Sequence, residues 1–194
     1  MIHILDGLSI DRLPALRDHM FRDRTAQFVG RRGWELSVDA QGREIDQYDD
    51  LRPTYLIYSD GAGGHLGSLR LLPSTGRTMI AEHFAHLAPD GFQKSDVVEC
   101  TRFCIAPNAP GHVSAALFLA VLELGLARGW SGSYGLFDGR MIRVYQRLGT
   151  PARILSRLGE GRDALCIGYF GFDPHLHAVL AQRAYVEPDA PLAA

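Results

Sequence analysis

The stretch from Val97 to Phe137 constrains the fold more than any other. Val97 to Ile105 is an apolar run of strand length, and Gly111 opens a helix from His112 to Arg128. Val113, Ala116, Leu117, Ala120, Val121 and Leu124 mark the helix's inner face at helical spacing. Ser133 to Phe137 is again of strand type. A strand, a helix and a second strand in this order form a crossover unit, so the two strands are expected to pair in parallel. Leu119, Leu122 and Leu126 add apolar surface elsewhere on the helix, which predicts burial on more than one side.

The other elements are read around that unit. Ser9 is placed to cap a helix running to about Phe28, with Leu13, Leu16 and Met20 as its buried stripe and Phe21, Arg24 and Phe28 on a neighbouring face. Thr54 to Ser59 and His65 to Leu72 read as a hairpin around glycines 61, 63 and 64. Met79 to Leu87 and Arg140 to Leu148 read as helices, Ala164 to Phe170 as a strand, and His175 to Tyr185 as a helix before a loose tail. Val29 to Pro53 has little periodicity and many charges. Irregular loops of this length in compact domains tend to be functional, and this one is expected to cover a site and to order when ligand binds. Strands interleaved with helices on both faces predict an α/β protein: a three-layer αβα sandwich with a mixed central sheet, in one domain over residues 1–194.

Composition narrows the function classes. A net charge of −2 argues against wholesale nucleic-acid binding. Cys100, Cys104 and Cys166 form neither a disulfide framework nor a zinc motif, which suits a reducing cytoplasm. No run approaches the ~20 apolar residues of a membrane span, and the N-terminal segment does not read as a signal peptide. No metal cluster stands out. From Arg128 to Arg162 there are seven arginines against Asp138 and Glu160, a surface suited to an acidic or phosphorylated partner.

Several charged and aromatic residues stand apart from a packing role. Arg24, Phe28 and Trp34 read either as a surface arginine beside core aromatics or as a cationic, aromatic wall, the kind that attracts a cation and stacks on adenine. Asp46 and Asp49 flank Tyr48 in the run Glu-Ile-Asp-Gln-Tyr-Asp-Asp. They are either a solvated acidic turn or carboxylates that hold an ammonium or pair with arginines. Arg70 lies mid-strand and needs a partner if that side is buried; Phe84 lies in the helix that follows. Glu99 and Arg102 interrupt an apolar strand, and buried charges demand partners. Positions three apart face opposite sides of a regular strand, so these two converge only if a bulge intervenes, and a bulge is expected here. Cys100 and Cys104 share a parity and are expected to pack.

Taken together, Arg24, Phe28, Trp34, Asp46, Asp49, Arg70, Phe84, Glu99 and Arg102, with their intervening spacings and the Arg70-Leu71-Leu72-Pro73 run, resemble the acyl-homoserine lactone synthases, the enzymes that make quorum-sensing autoinducers. The order of elements resembles the acyltransferase fold of the GCN5-related N-acetyltransferases. The resemblance implies that S-adenosylmethionine is acylated on its amine by an acyl thioester, carried by acyl carrier protein or coenzyme A. The product then lactonises and releases methylthioadenosine. Both reactants are substrates, and no cofactor or metal is implied. The resemblance assigns Arg24, Phe28, Trp34 and Arg102 to S-adenosylmethionine, adds Phe84 to the binding set, places Asp46, Asp49 and Arg70 in an electrostatic cluster, and makes Glu99 the candidate base or its water-positioner. Tyr134 and Phe137 are expected to narrow the acyl pocket. Relatives that use 3-oxo donors carry a threonine near Ser133 to Phe137; this chain has none there, which argues against a 3-oxo preference. Arg140, Arg143 and Arg147 fall on one helix face and could receive an acidic carrier protein or coenzyme A phosphates.

Two other readings compete. A generic acyl-coenzyme A-dependent N-acyltransferase shares the fold, but the stretch from Ala106 to Gly111 lacks the Arg/Gln-x-x-Gly-x-Gly/Ala pyrophosphate loop. A non-catalytic S-adenosylmethionine-binding domain would carry the same pocket without turnover.

Overall fold

The computed structural model describes residues 1–185; the loose tail expected after them lies outside the described residues. In chain order the elements are β1 (Ile2–Asp6), α1 (Pro14–Arg24), β2 (Thr54–Ser59), β3 (His65–Pro73), α2 (Met79–His83), β4 (Val97–Ile105), α3 (His112–Ala127), β5 (Gly132–Asp138), α4 (Met141–Leu148), β6 (Arg153–Leu158), β7 (Leu165–Gly171) and α5 (Leu176–Ala184). Among the described residues the seven strands form one sheet in the order β1-β2-β3-β4-β5-β7-β6. Only β4 and β5, the pair joined by the α3 crossover, run parallel. The mixed α/β fold is therefore the one the crossover demands.

Each face of the sheet is covered. On one, α1 packs Leu16, Met20 and Phe21 against Tyr55 and Ile57, and α2 packs Ile80 against Val97, Tyr134 and Ile167. On the other, α3 lays Val113, Leu117 and Val121 on Leu56, Leu69, Leu71 and Val98. Its second apolar side receives α5 through Leu180 and Ala184, and α4 brings Tyr145 to Phe137 and Phe170. Burial of α3 on two sides explains its all-round hydrophobicity.

Three details differ from the sequence reading. Ser9 caps no long helix. It opens a 3-10 turn, Ser9–Arg12, and α1 starts at Pro14, whose missing N–H costs nothing in a first turn. At Thr25 the helix widens into a π turn, Thr25–Arg31, where the Thr25 hydroxyl donates to the carbonyls of Phe21 and Gly42. Finally, β1 and β6 are strands that periodicity misses. Both are edge strands with one neighbour each, half-exposed, and defined by pairing with distant partners.

Two features of β4 position the site. Its pairing with β5 ends at Cys100 and Gly135, although both strands continue, so they splay apart. Against β3, Ser68 pairs with Cys104 and Arg70 with Thr101. Leu69 therefore faces the two residues Arg102 and Phe103, which is the expected bulge. Arg102 occupies the left-handed region, with φ at 53°. The extra residue turns Arg102 to the α1 face, where Glu99 also lies. It also breaks the parity of the cysteines: Cys100 lies with the α3 cluster, whereas Cys104 lies within reach of Asp23 and Arg24 of α1.

Candidate active site

Between α1 and the sheet, three arginines and three carboxylates alternate in a closed ring. Arg24, from the end of α1, donates its Nε–H to Glu44 at 2.6 Å and a two-pronged pair of bonds to Asp49 at 3.0 Å each. Arg70, from β3, holds both oxygens of Asp46 at 2.5 and 2.9 Å and reaches Asp49 at 2.8 Å. Arg102, from the bulge, closes the circuit through Glu44 at 2.8 Å and Asp46 at 2.9 Å. Tyr55 donates to Asp49 at 2.7 Å, and Thr101 accepts the Nε–H of Arg70 at 2.9 Å. The ring is nearly free of solvent; Glu44 is only 1% exposed. Such charges tolerate burial only when paired and hydrogen-bonded on all sides. Burial opposes the ionisation of Asp49, but Arg24 and Arg70 outweigh it and hold the carboxyl well below the usual range.

The ring gives Val29 to Pro53 its shape. Glu44, Asp46 and Asp49 tie that segment to α1, β3 and β4, and Tyr48 is fully buried with its hydroxyl on Glu82 of α2. The segment's own ion pairs hold it against α1, β3 and β4. Glu44 is the member of the ring that sequence reasoning missed. The signal for it was arithmetic: three arginines bound for the interior need three carboxylates, and Glu44 opens the same acidic run.

Beside the ring lies a cavity of about 590 Å³ that passes through the sheet where β4 and β5 part. On the α1 face it is walled by Phe28, Trp34, Met79, Phe84, Thr101 and Arg102. Phe28 and Trp34 stack flat, with centroids 5.1 Å apart and planes 8° from parallel. The Arg102 guanidinium lies over the Phe28 ring at 5.6 Å. Trp34 remains 39% exposed, so one indole face is open to a ligand. On the α3 face the cavity is apolar and aromatic, walled by Phe118, Val121, Phe137, Tyr145, Phe170 and Leu180.

The remaining candidates fall in different places. Glu99 is buried at the N-terminal end of α2, accepting from the Ile80 N–H at 3.2 and 3.3 Å. It lies outside the cavity wall, which α2 supplies through Met79. Burial raises its carboxyl above the usual range. Phe137 lines the cavity as expected. Tyr134 does not: successive strand residues alternate faces, and it packs under α2 and borders a separate cleft with Tyr169 and Arg153. Arg140 stands apart from the other two arginines of its expected set. It sits before α4, paired with Asp138 and Asp163. Arg143 and Arg147 are exposed on the helix.

A model of the autoinducer synthases matches residues 11–170. The chain belongs to the autoinducer synthase family. This autoinducer synthase is 38% identical over 178 residues to the acyl-homoserine-lactone synthase of Rhizobium etli, a match spanning 87% of this chain and 82% of that one. Its fold superposes with a TM-score of 0.82 on BjaI, a coenzyme A-dependent acyl-homoserine lactone synthase solved with S-adenosylmethionine and isopentyl-coenzyme A. Identity there is 24%, with 100% and 95% of the two chains covered. A more distant likeness, TM-score 0.59 at 20% identity over 89% and 99% of the chains, is to an N-acetyltransferase from Lactobacillus plantarum. The autoinducer synthase is thus an acyltransferase built on the N-acetyltransferase-like fold. Among the described residues no helix is long and apolar enough to cross a membrane.

Proposed function

We propose that the enzyme joins S-adenosylmethionine to an acyl group from a thioester and closes the product to an acyl-homoserine lactone, with each compartment of the cavity serving one substrate. The observation that carries this reading is the cavity itself. A cationic, aromatic wall on one side of the sheet and an apolar aromatic chamber on the other meet at the splay of β4 and β5. Adenine and the sulfonium suit the open face of Trp34 and its stacked partner Phe28. The methionyl carboxylate suits Arg102, which is held in place by Glu44 and Asp46. The acyl chain suits the chamber of Phe118, Phe137 and Phe170.

The chemistry needs little more. The α-amine has a free pKa of ~8 and must lose a proton to become a nucleophile. Glu99, made more basic by burial, accepts it through an intermediary, since its carboxylate stands behind the cavity wall. The amine then attacks the thioester carbon; the C–N bond forms, the C–S bond breaks, and the nitrogen's second proton leaves with the thiolate as free thiol. Backbone N–H groups of β4 beyond Cys100, released from β5, are placed to stabilise the oxyanion. In the second stage the carboxylate attacks the γ-carbon of the same molecule, and the sulfonium leaves as neutral methylthioadenosine. Asp46, Asp49 and Arg70 position Arg24 and Arg102 rather than touch the reacting atoms. The donor's carrier is received by Arg143 and Arg147. The coenzyme A thioester bound by BjaI supports coenzyme A, and an acidic carrier protein fits the same charges. No cofactor is required.

Incubating the protein with S-adenosylmethionine and a panel of acyl-coenzyme A and acyl-carrier thioesters tests the reading. Donor-dependent release of methylthioadenosine is expected. Binding of S-adenosylmethionine without release from any donor favours the non-catalytic reading.

A further inference from the structure

The α1 face of the sheet holds a buried histidine that the mechanism does not use. His65, at the start of β3, is only 6% exposed. Its Nδ1 meets the Asp23 carboxylate of α1 at 2.7 Å, and its Nε2 meets the Ser68 hydroxyl at 2.9 Å. With a carboxylate as partner, Nδ1 carries a proton, and Nε2 of the neutral ring accepts from the Ser68 hydroxyl. Residues three apart face opposite sides of a regular strand. His65 and Ser68 converge because Leu66 is an extra residue: Tyr58 pairs with Gly67, but Ser59 pairs with His65. Asp23 extends the buried Leu16 and Met20 stripe of α1, at spacings of four and three. A carboxylate on that side needs a partner from the sheet, and His65 supplies it.

A serine, a histidine and an aspartate bonded in this order have the connectivity of a hydrolase triad. Ser68, however, is 1% exposed and does not line the substrate cavity, so no acyl carbon reaches its hydroxyl from there. What the chain of bonds does is join two places. Asp23 is followed by Arg24 of the ring and by the π turn, Thr25–Arg31, that carries Phe28. Ser68 pairs with Cys104, and the bulge that aims Arg102 begins at the next residue of β3. The Arg102 guanidinium lies 5.6 Å from the centre of the Phe28 ring. Resting on the synthase reading above, we infer that Asp23, His65 and Ser68 are positioning residues for S-adenosylmethionine. By tying the end of α1 to the strand beside the bulge, they set the spacing between the Phe28–Trp34 wall and Arg102, the two surfaces that grip the ligand. A shift at either end moves one surface against the other. The acyl chamber, on the α3 face of the sheet, lies apart from both ends.

The test is calorimetric titration of the full chain with S-adenosylmethionine, beside steady-state release of methylthioadenosine. Ser68→Ala and Asp23→Ala each break the chain of bonds at one end. Each is expected to weaken S-adenosylmethionine about twofold to thirtyfold, the range for residues that act through packed neighbours, and to raise its KM in step. At saturating S-adenosylmethionine, kcat and the KM for the acyl thioester should match the parent. Asp23→Asn still accepts from Nδ1 and is expected to restore most of the affinity. Thermal melting checks that each variant is folded; should one not fold, the other and His65→Gln carry the same comparison. The inference is overturned if the folded variants bind as the parent does, whatever their Tm, if Asp23→Asn loses as much as Asp23→Ala, or if kcat falls as far as affinity. Unchanged affinity in the variants removes this inference alone; no binding of S-adenosylmethionine by the parent removes the synthase reading as well.

Discussion

Arg24 and Asp49 face each other through two parallel hydrogen bonds of 3.0 Å, in a place where neither side chain is more than a few per cent exposed. Asp49 also takes bonds from Arg70 and Tyr55, so one carboxylate serves two buried guanidinium groups. Asp49→Asn keeps the shape and removes the charge. Breaking a buried pair from one side costs about 3–5 kcal/mol, and for a chain of this size each kcal/mol lowers Tm by about 2–4 °C. A fall in Tm of roughly 10 °C is expected by calorimetry. A variant as stable as the parent would show that the ring is not what anchors the 29–53 segment.

The same carboxylate sets the acid limit. Burial raises its pKa, but Arg24 and Arg70 overcome that and hold it below the usual range. A depressed folded pKa contributes stability above the unfolded value of ~3.9, and that contribution is lost as pH falls through the folded value. Urea midpoints should therefore drop below pH ~4 in the parent. Asp49→Asn should lack this part of the slope, and parallel curves for the two proteins would count against the assignment.

Glu99 has the opposite sign. Burial raises its folded pKa, so its contribution is fully present below the unfolded value of ~4.3 and is lost as pH rises through the folded one. Glu99→Gln is expected to melt above the parent, by a margin that widens as pH rises from the unfolded value of ~4.3 through the folded one. Its turnover should fall by about 10²–10⁴, the range for a general base. Turnover retained in full would send the amine's proton elsewhere.

Trp34 presents its indole to the cavity and stacks on Phe28 behind it. A stacked base is worth about 1–3 kcal/mol, so Trp34→Ala should weaken S-adenosylmethionine at least about fivefold by calorimetric titration. With 39% of the residue exposed, stability should change far less than affinity. A loss of fold with unchanged affinity would make Trp34 a packing residue.

Gly168 on β7 faces Gly135 on β5, and the two bare positions let large rings lie on the sheet. A Cβ at Gly168 would come within 2.8 Å of the Phe137 ring, and one at Gly135 within 3.2 Å of the Phe170 ring. Gly168→Ala should destabilise by about 1–3 kcal/mol through overpacking and push Phe137 toward the chamber. The preference among donors should shift to shorter chains, measured as relative kcat/KM. An unchanged chain-length profile would detach Phe137 from selection.

Much of this was open to a reader of the sequence. The α3 crossover and the parallel β4–β5 pair follow from apolar spacing, because a helix that long and that apolar must lie between layers. The charges at Glu99 and Arg102 announced themselves by interrupting an apolar strand, and the bulge followed from their spacing. Edge strands were a different matter: Ile2–Asp6 and Arg153–Leu158 are defined by partners far along the chain. Tyr134 and Phe137 looked alike in sequence, yet the alternation of strand faces sends one beneath α2 and the other into the cavity. Arg140 looked free until its position before α4 put Asp138 and Asp163 beside it.

Local spacing alone determined the layered α/β architecture and the charged and aromatic residue types from which a site could be made, because periodicity and the cost of burying charge act on short stretches of chain. Tertiary structure decided which charges neutralise which, that Glu44 completes the ring, and which aromatic side chains share one cavity. Those outcomes depend on distances between residues remote in sequence. The one-residue bulge at Arg102 brings its guanidinium to Glu44 and Asp46, and the splay of β4 from β5 opens the cavity beside them.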